Sequence, residues 1–449
     1  MNKWKEYKLS ELCIDVSYGY TASTLVENTG YKFLRITDIQ GGNVTWNNVP
    51  YCKISEKHYS KYQLKTGDIV IARTGNSTGE SYIFDENIFN GKAVFASYLI
   101  RYRIDEKIAI PYYIWLCLRT SRWWNFVFNS ASGSAQKGAN AKVLGNFSIN
   151  LPNIQQQFRI ANFFHNINRK IVLNTQTNQT LEQIAQGIFK HWFIDFAPVH
   201  AKANALARGE TIEQAELAAM ACLSGKTVDK ITALKAQDPT AYQQLQQTAQ
   251  AFPSEFVESE MGLVPKGWEV LKFKDFVKET KEKVGKLQGI EEYSVGNEGI
   301  YPRKEKYKKQ LAKDPSKNKL IREANIVFGM GNKEVNWGIM RDKIGSVSSA
   351  YNIFQINDIN HLFLDMFINN IPYYFRDIIK PTSRQGQTID KEAFLEKAIY
   401  YPNKEIINIF LEKITQINEL SICIKSQNIY LLSIRDYLLP KLLGGEIKL

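Results

Sequence analysis

Two loops hold the residues best suited to touching a polyanion. Ser132-Gly-Ser-Ala-Gln-Lys-Gly-Ala-Asn and Thr382-Ser-Arg-Gln-Gly-Gln-Thr mix glycine with Ser, Gln, Arg and Lys. Glycine lets a backbone come close to a phosphate, and the amide, hydroxyl and cationic side chains reach phosphate oxygens or base edges. The candidates are Ser132, Ser134, Gln136 and Lys137 in the first loop, and Arg384, Gln385, Gln387 and Thr388 in the second. A weaker pair of glycine loops, Thr74-Gly-Asn-Ser-Thr-Gly and Gly329-Met-Gly-Asn-Lys, adds Arg73, Asn76, Asn332 and Lys333. A basic run through Arg303, Lys304, Lys306, Lys308, Lys309, Lys313, Lys317, Lys319 and Arg322, with Tyr301 and Tyr307 among them, contributes Lys304 and Lys308 as phosphate contacts. Each feature has a plainer reading as a solvated turn or charged face. The recurrence of the loops in pairs raises them above it.

Residue patterns for a reaction are missing. The chain has no H-E-x-x-H, no G-x-S-x-G and no Asn-Pro-Pro-aromatic run of the kind that amino-methylating enzymes present to a flipped base. Ser224-Gly-Lys-Thr copies the tail of a phosphate-binding loop, but Met220 stands where that loop needs glycine. The 5 cysteines form no C-x-x-C pair, and the 5 histidines do not cluster near them. The expectation is a reduced protein without a zinc site, and no catalytic or metal-ligating residues are assigned. A formal charge of +12 fits a polyanion partner. The N-terminal MNKWKEYKLS is too polar for a signal peptide and no run approaches 18 apolar residues, so a soluble cytoplasmic protein is expected.

The element that must position the loops is a long helix beginning about 15 residues after each of them. Steps of 4-3-4-3 from Ile160 give Phe164, Ile167, Ile171, Asn174, Asn178, Leu181, Ala185, Ile188 and Trp192. From Phe410 the same steps give Ile414, Ile417, Ser421, Ile424, Asn428, Leu431, Arg435, Leu438 and Leu442. These are largely apolar seams of period 3.5, and a buried Asn within one fixes register at a cost in stability. Pro152 and Pro402 open the two segments, Asn178 and Asn428 interrupt them at the same place, and Pro440 should kink or stop the second helix.

The repeat extends upstream. Trp268-Glu-Val-Leu-Lys-Phe-Lys-Asp-Phe matches Trp4-Lys-Glu-Tyr-Lys-Leu-Ser-Glu-Leu, and Asn325-Ile-Val-Phe-Gly matches Asp68-Ile-Val-Ile-Ala. Strand-forming runs between glycine turns, with a helix near residues 111–122, indicate α+β domains. The expected division is a first domain at 1–151, a long helix at 152–196, an Ala/Gln-rich connector of short helices or mobile linker at 197–263, a second domain at 264–401 and a second long helix with its tail at 402–449.

Two diverged heads on one repeated frame resemble the DNA-specificity subunit of type I restriction-modification systems. The most specific matches are Gly187-Ile-Phe-Lys-His-Trp-Phe-Ile-Asp-Phe-Ala-Pro-Val, Phe252-Pro-Ser-Glu-Phe-Val-Glu-Ser-Glu-Met-Gly before Val264-Pro-Lys-Gly-Trp-Glu, and the ending Leu438-Leu-Pro-Lys-Leu-Leu-Gly-Gly-Glu-Ile. The resemblance implies two target-recognition domains spaced by two antiparallel coiled-coil helices with pseudo-twofold symmetry. At 1.5 Å per residue, helices of about 39 residues would be about 58 Å long, enough to hold two heads roughly one 34 Å DNA turn apart. It further implies that the chain performs no chemistry. The chain would bind a bipartite, asymmetric double-stranded DNA sequence and position two adenine methyltransferase subunits and the restriction/translocase subunits. S-adenosylmethionine, ATP and Mg would belong to those partners, with no membrane involved. A self-contained DNA-modifying enzyme or nuclease, or a coiled-coil scaffold protein, are the alternatives. The first would act on DNA as a purified chain, and the second would show no salt-dependent DNA preference.

Overall fold

The structure is a computed structural model describing residues 4–131, 139–297, 299–307, 309–329, 335–381 and 387–449. It is α+β and divides into two compact units, one formed by residues 1–178 with 422–449 and the other by 179–421. Each long helix therefore contributes to both units.

In the first unit a four-stranded antiparallel sheet has the order Cys13–Tyr18, Leu99–Ile104, Asp68–Ala72, Ser81–Ile83. The Asp68–Ala72 strand is buried along its whole length, as its unbroken apolar run requires. Lys5–Lys8 pairs separately with Ser148–Leu151, tying the start of the chain to the segment that leads into the long helix. The helices Pro111–Cys117 and Ser121–Ala131 cover the sheet, with Trp123, Tyr113 and Leu118 in the core. Residues 20–97 add a second cluster around Trp46, Phe84 and Phe95.

The second unit repeats this plan. Its sheet runs Val277–Glu279, Asn352–Ile356, Asn325–Phe328, Trp337–Ile339, and Glu269–Lys272 pairs with Ala398–Tyr401. The His361–Asn370 helix stands where Pro111–Cys117 stands in the first copy. Small fastenings recur as well: Glu11 accepts from the Lys8 amide at 2.8 Å, as Asp275 does from the Lys272 amide at 2.8 Å. Among the described residues, the first unit has no counterpart of the second unit's antiparallel pair Tyr293–Gly296 with Gly299–Pro302.

The helices Ile154–Phe189 and Lys404–Leu443 begin at matched caps. Asn153 Oδ1 accepts from the Gln156 amide at 2.9 Å, and Asn403 Oδ1 from the Ile406 amide at 3.0 Å. Within the first unit, Ile160, Phe164 and Ile167 share a core with Leu439 and Leu442, while Asn174 meets Asn428, so the two segments run antiparallel there. Within the second unit, Phe189 and Trp192 meet Phe410 with ring centroids 5.6 and 6.0 Å apart. Every seam position on both helices is buried or half-buried, as a 3.5 repeat demands.

One detail corrects the sequence reading and another adds to it. Pro440 does not stop the second helix, which continues to Leu443. A proline in the final turn gives up only one backbone bond, and the Gly444 amide still donates to the Pro440 carbonyl at 2.8 Å. The partner of Asn428 is Asn174, 3% exposed, whose Nδ2 donates to Asn428 Oδ1 at 2.9 Å. The position 250 residues after Asn174 is Ile424, so the second copy supplies no amide at the equivalent place. Asn178 accordingly has a buried Oδ1 with no hydrogen-bond partner among the described residues.

The first long helix ends in a wide turn, with the Asp195 amide donating to the Lys190 carbonyl at 2.8 Å, and Phe196 takes a left-handed φ of +48°. That turn launches four short helices spanning residues 197–251. Val199 and Phe252 join them to the unit's core, and Lys202, 7% exposed, ties the first helix to the last by donating to the Ala249 and Phe252 carbonyls at 3.0 and 2.6 Å, while burial pushes its pKa down. Ser224-Gly-Lys-Thr is a helix stop, with Gly225 at φ +65° closing one helix and Thr227 opening the next.

Candidate nucleic-acid interface

In both units described residues flanking the glycine loop and the polar loop meet at one end of the sheet. In the first unit the Asp68–Ala72 strand delivers Arg73, and the chain then turns through Gly75–Ser77. Gly75 has φ +72° with open space beside it, so backbone conformation alone calls for glycine. Gly79 has φ +92°, and a Cβ there would lie 3.0 Å from Val127, so packing calls for it too. The polar loop returns to this same strand end, where the Ala139 amide donates to the Arg73 carbonyl at 2.9 Å. The Arg73 guanidinium lies over the Tyr18 ring at 5.1 Å and Nε donates to the Ser97 carbonyl at 3.1 Å. Tyr18 Oη in turn accepts from the Ala141 amide at 3.1 Å. The structure thus brings Arg73 and exposed Asn76 to the foot of the polar loop. Ser132, Ser134, Gln136 and Lys137 lie outside the described residues.

In the second unit the Asn325–Phe328 strand delivers Gly329, where a Cβ would come 3.2 Å from Val295 and 3.4 Å from the Tyr351 ring. Close packing, with no left-handed turn, explains this glycine. Asn332 and Lys333 lie outside the described residues, as do Arg384 and Gln385. The short ribbon Ile379–Pro381 with Gln387–Ile389 flanks that second loop and pairs Pro381 with Gln387. Thr388 Oγ1 accepts from Asn352 Nδ2 at 3.5 Å, and Asn352 lies opposite Phe328 in the sheet. Thr388 therefore sits beside the strand end that carries Gly329. Asp390 caps the following helix and pairs with Lys380 at 2.5 Å, which holds its carboxyl below the usual range.

The basic run is less free than its sequence suggests. Lys304 pairs with Glu291 at 2.6 Å, Lys317 with Asp314 at 3.5 Å and Arg322 with Glu282 at 2.8 Å. Lys319 donates to the Tyr351 carbonyl at 2.5 Å, and Lys308 lies outside the described residues. Sequence reasoning missed Tyr18, Tyr351 and Asn352, which join the loops to the sheets. An isolated Tyr or Asn in a strand carries no sequence signal of that role.

No activated thiol stands near these loops among the described residues. Burial pushes Cys13 and Cys117 up to about 12 and Cys52 to about 11. No described group of three His, Cys, Asp or Glu could hold a metal ion.

Residues 1–183 match the model of the type I restriction modification DNA specificity domain. The chain is 30% identical to the type I restriction enzyme HindI specificity subunit of Haemophilus influenzae, over 100% of both chains. It is 23% identical to the EcoKI specificity subunit of Escherichia coli over 35% of this chain and 34% of that protein. In fold it is similar to the type I restriction-modification S subunit from M. genitalium, with a TM-score of 0.55 at 12% identity, covering 98% of this chain and 96% of the other.

Proposed function

The chain belongs to the family of type I restriction-modification DNA specificity subunits, and on that premise we propose that it reads a bipartite, asymmetric double-stranded DNA target, one half-site per unit. The observation that carries this reading is the repetition of one strand order with the residues flanking two loops gathered at the same sheet end in each unit, while the loop sequences differ. A shared frame gives both heads the same way of presenting side chains to a groove, and different side chains give different bases. Ser134, Gln136 and Lys137 would act in one head and Arg384, Gln385, Gln387 and Thr388 in the other. Arg73, Asn76, Asn332, Lys333, Lys304 and Lys308 would supply backbone contacts that set position.

We assign no reaction to this chain. Adenine methylation with S-adenosylmethionine, and ATP- and Mg-dependent translocation and cleavage, would belong to two methyltransferase subunits and to restriction subunits. Exposed apolar side chains on the long helices support such docking. Phe158 and Leu173 on the first helix, and Ile422, Ile429, Tyr430 and Tyr437 on the second, are about half exposed or more. Among the described residues no helix is long and apolar enough to cross a membrane, and we place the complex in the cytoplasm with its DNA.

The test is the methylated-adenine pattern of the source genome with and without this gene. A split motif that vanishes on deletion is the expected result; an unchanged pattern would refute an active specificity subunit.

A further inference from the structure

At the end of the sheet in the second unit, one arginine stands apart from the basic run around it. Arg303 follows the hairpin Tyr293–Gly296/Gly299–Pro302. Its Nε donates to the Lys309 carbonyl at 2.9 Å and its Nη1 to Ser294 Oγ at 3.0 Å, and the guanidinium lies over the Tyr307 ring at 4.5 Å. Those two bonds use two of the five N–H donors a guanidinium carries. Lys304, Lys317 and Arg322 each face a carboxylate, but among the described residues Arg303 has none within salt-bridge distance. Its charge is therefore uncompensated locally while its plane is held on three sides.

Its neighbours tie it to the loops. The hairpin packs against the residues that flank the glycine loop, since a Cβ on Gly329 would lie 3.2 Å from Val295 and one on Gly338, in the strand that follows, 2.6 Å from the Ile300 amide. Tyr351, whose ring also borders Gly329, is close enough for the Arg303 charge to act on its hydroxyl. The next residue, Asn352, donates to Thr388 at the foot of the polar loop. The first unit uses the same device at a different sequence position, with Arg73 over Tyr18 and its Nε on the Ser97 carbonyl.

We propose that Arg303, held over the Tyr307 ring, is a pre-oriented clasp for a DNA backbone phosphate flanking the half-site that the second unit reads. The inference rests on the DNA-reading function above. A planar guanidinium matches a phosphate with two parallel hydrogen bonds, and fixing its rotamers before contact removes entropy that a free lysine would lose on binding. A phosphate contact carries no base information, so Arg303 contributes affinity and register and leaves sequence preference to the loops.

The full-length chain with its methyltransferase partner is titrated with a duplex carrying the mapped motif, with single-base variants of that duplex, and across a salt series. For Arg303→Ala the expected result is a loss of about 5- to 10-fold, equal for all duplexes, and a slope of log affinity against log salt shallower by about 0.9. An unchanged slope with salt-dependent wild-type binding overturns the clasp and leaves DNA reading standing. So does a loss confined to one base variant. A wild-type complex without salt-dependent binding overturns the DNA reading itself. Should Arg303→Ala fail to fold, Tyr307→Leu carries the test: affinity falls about 3-fold with the slope retained, because the charge remains but is no longer oriented. Unchanged affinity in that variant overturns pre-orientation.

Discussion

Asp68 in the first unit and Asn325 in the second occupy the same place in the same strand and are held in different ways. Asp68, 1% exposed, receives two bonds of 2.7 Å from Arg103 across the sheet. Asn325 Nδ2 donates to Gln355 Oε1 at 2.6 Å across the equivalent pair. Both residues also close the turn before the strand: Asp68 accepts from the Lys65 amide at 2.9 Å and Asn325 from the Arg322 amide at 2.8 Å. The fold therefore demands an acceptor for the turn amide at this position and a hydrogen-bonding partner opposite it, and is indifferent to which member of the cross-strand pair donates and to whether the pair is charged. Charge makes the first pair stronger when intact and more costly when halved. That freedom explains how two heads diverge in sequence while keeping one frame.

The sharpest way to break the comparison is to halve each pair. Asp68→Ala strands the partly buried Arg103 cation and opens the turn, and should cost about 3 kcal/mol in urea unfolding, read by amide exchange in the first unit. Asn325→Ala removes a neutral partner and should cost only about 1 to 2 kcal/mol in the second unit. The double variant Asp68→Asn/Arg103→Gln copies the second unit's pair into the first and should recover most of the stability lost in Asp68→Asn alone; no recovery would mean the two sites are not interchangeable.

The loops sharpen the comparison on the DNA side. Gln387→Ala should weaken binding or relax specificity at one half-site by about 1 to 3 kcal/mol, and Gln136→Ala should act on the other half-site alone. Binding to single-base variants of each half-site checks this, and a variant that affects both halves contradicts one head per half-site.

A smaller difference concerns the seam. Asn174→Ala leaves Asn428 Oδ1 without its donor and should cost about 1 to 2 kcal/mol, whereas Asn178→Ala removes an oxygen that already lacks a partner and should be close to neutral in thermal melts.

The smallest expected effect is a pH dependence confined to the second unit. His361 is the first residue of its helix, at the place taken by Pro111 in the first unit, and burial holds its pKa below the ordinary 6.5. A folded state that prefers the neutral ring contributes stability above 6.5 and loses it as pH falls through the depressed folded value. Amide exchange in the His361–Asn370 helix should rise, after correction for intrinsic rates, between pH 7.5 and 5.5, with no such change in Pro111–Cys117, and His361→Gln should abolish it.

The sequence by itself determined the elements with strong periodicity. The 3.5 seams, the doubled opening motifs and the buried Asp68 and Asn325 strands follow from apolar spacing, which local physics reads directly. The glycine and polar loops were visible as pairs because repetition marks them. Only the tertiary structure decided which of these meet. Asn428 pairs with Asn174 and leaves Asn178 orphaned, because an antiparallel seam sets partners across the helix pair and not by copy number. Pro440 stays helical because its lost bond falls in the last turn. Three cations of the basic run, Lys304, Lys317 and Arg322, face Glu291, Asp314 and Glu282, and of these carboxylates Glu291 and Glu282 come from outside the run. Arg303 is set apart by its hairpin's contact with Gly329 and by its nearness to Tyr351, both of which are long-range in sequence. Pairing across a sheet and the loss or retention of a counter-charge are long-range properties, and no local pattern of residues encodes them.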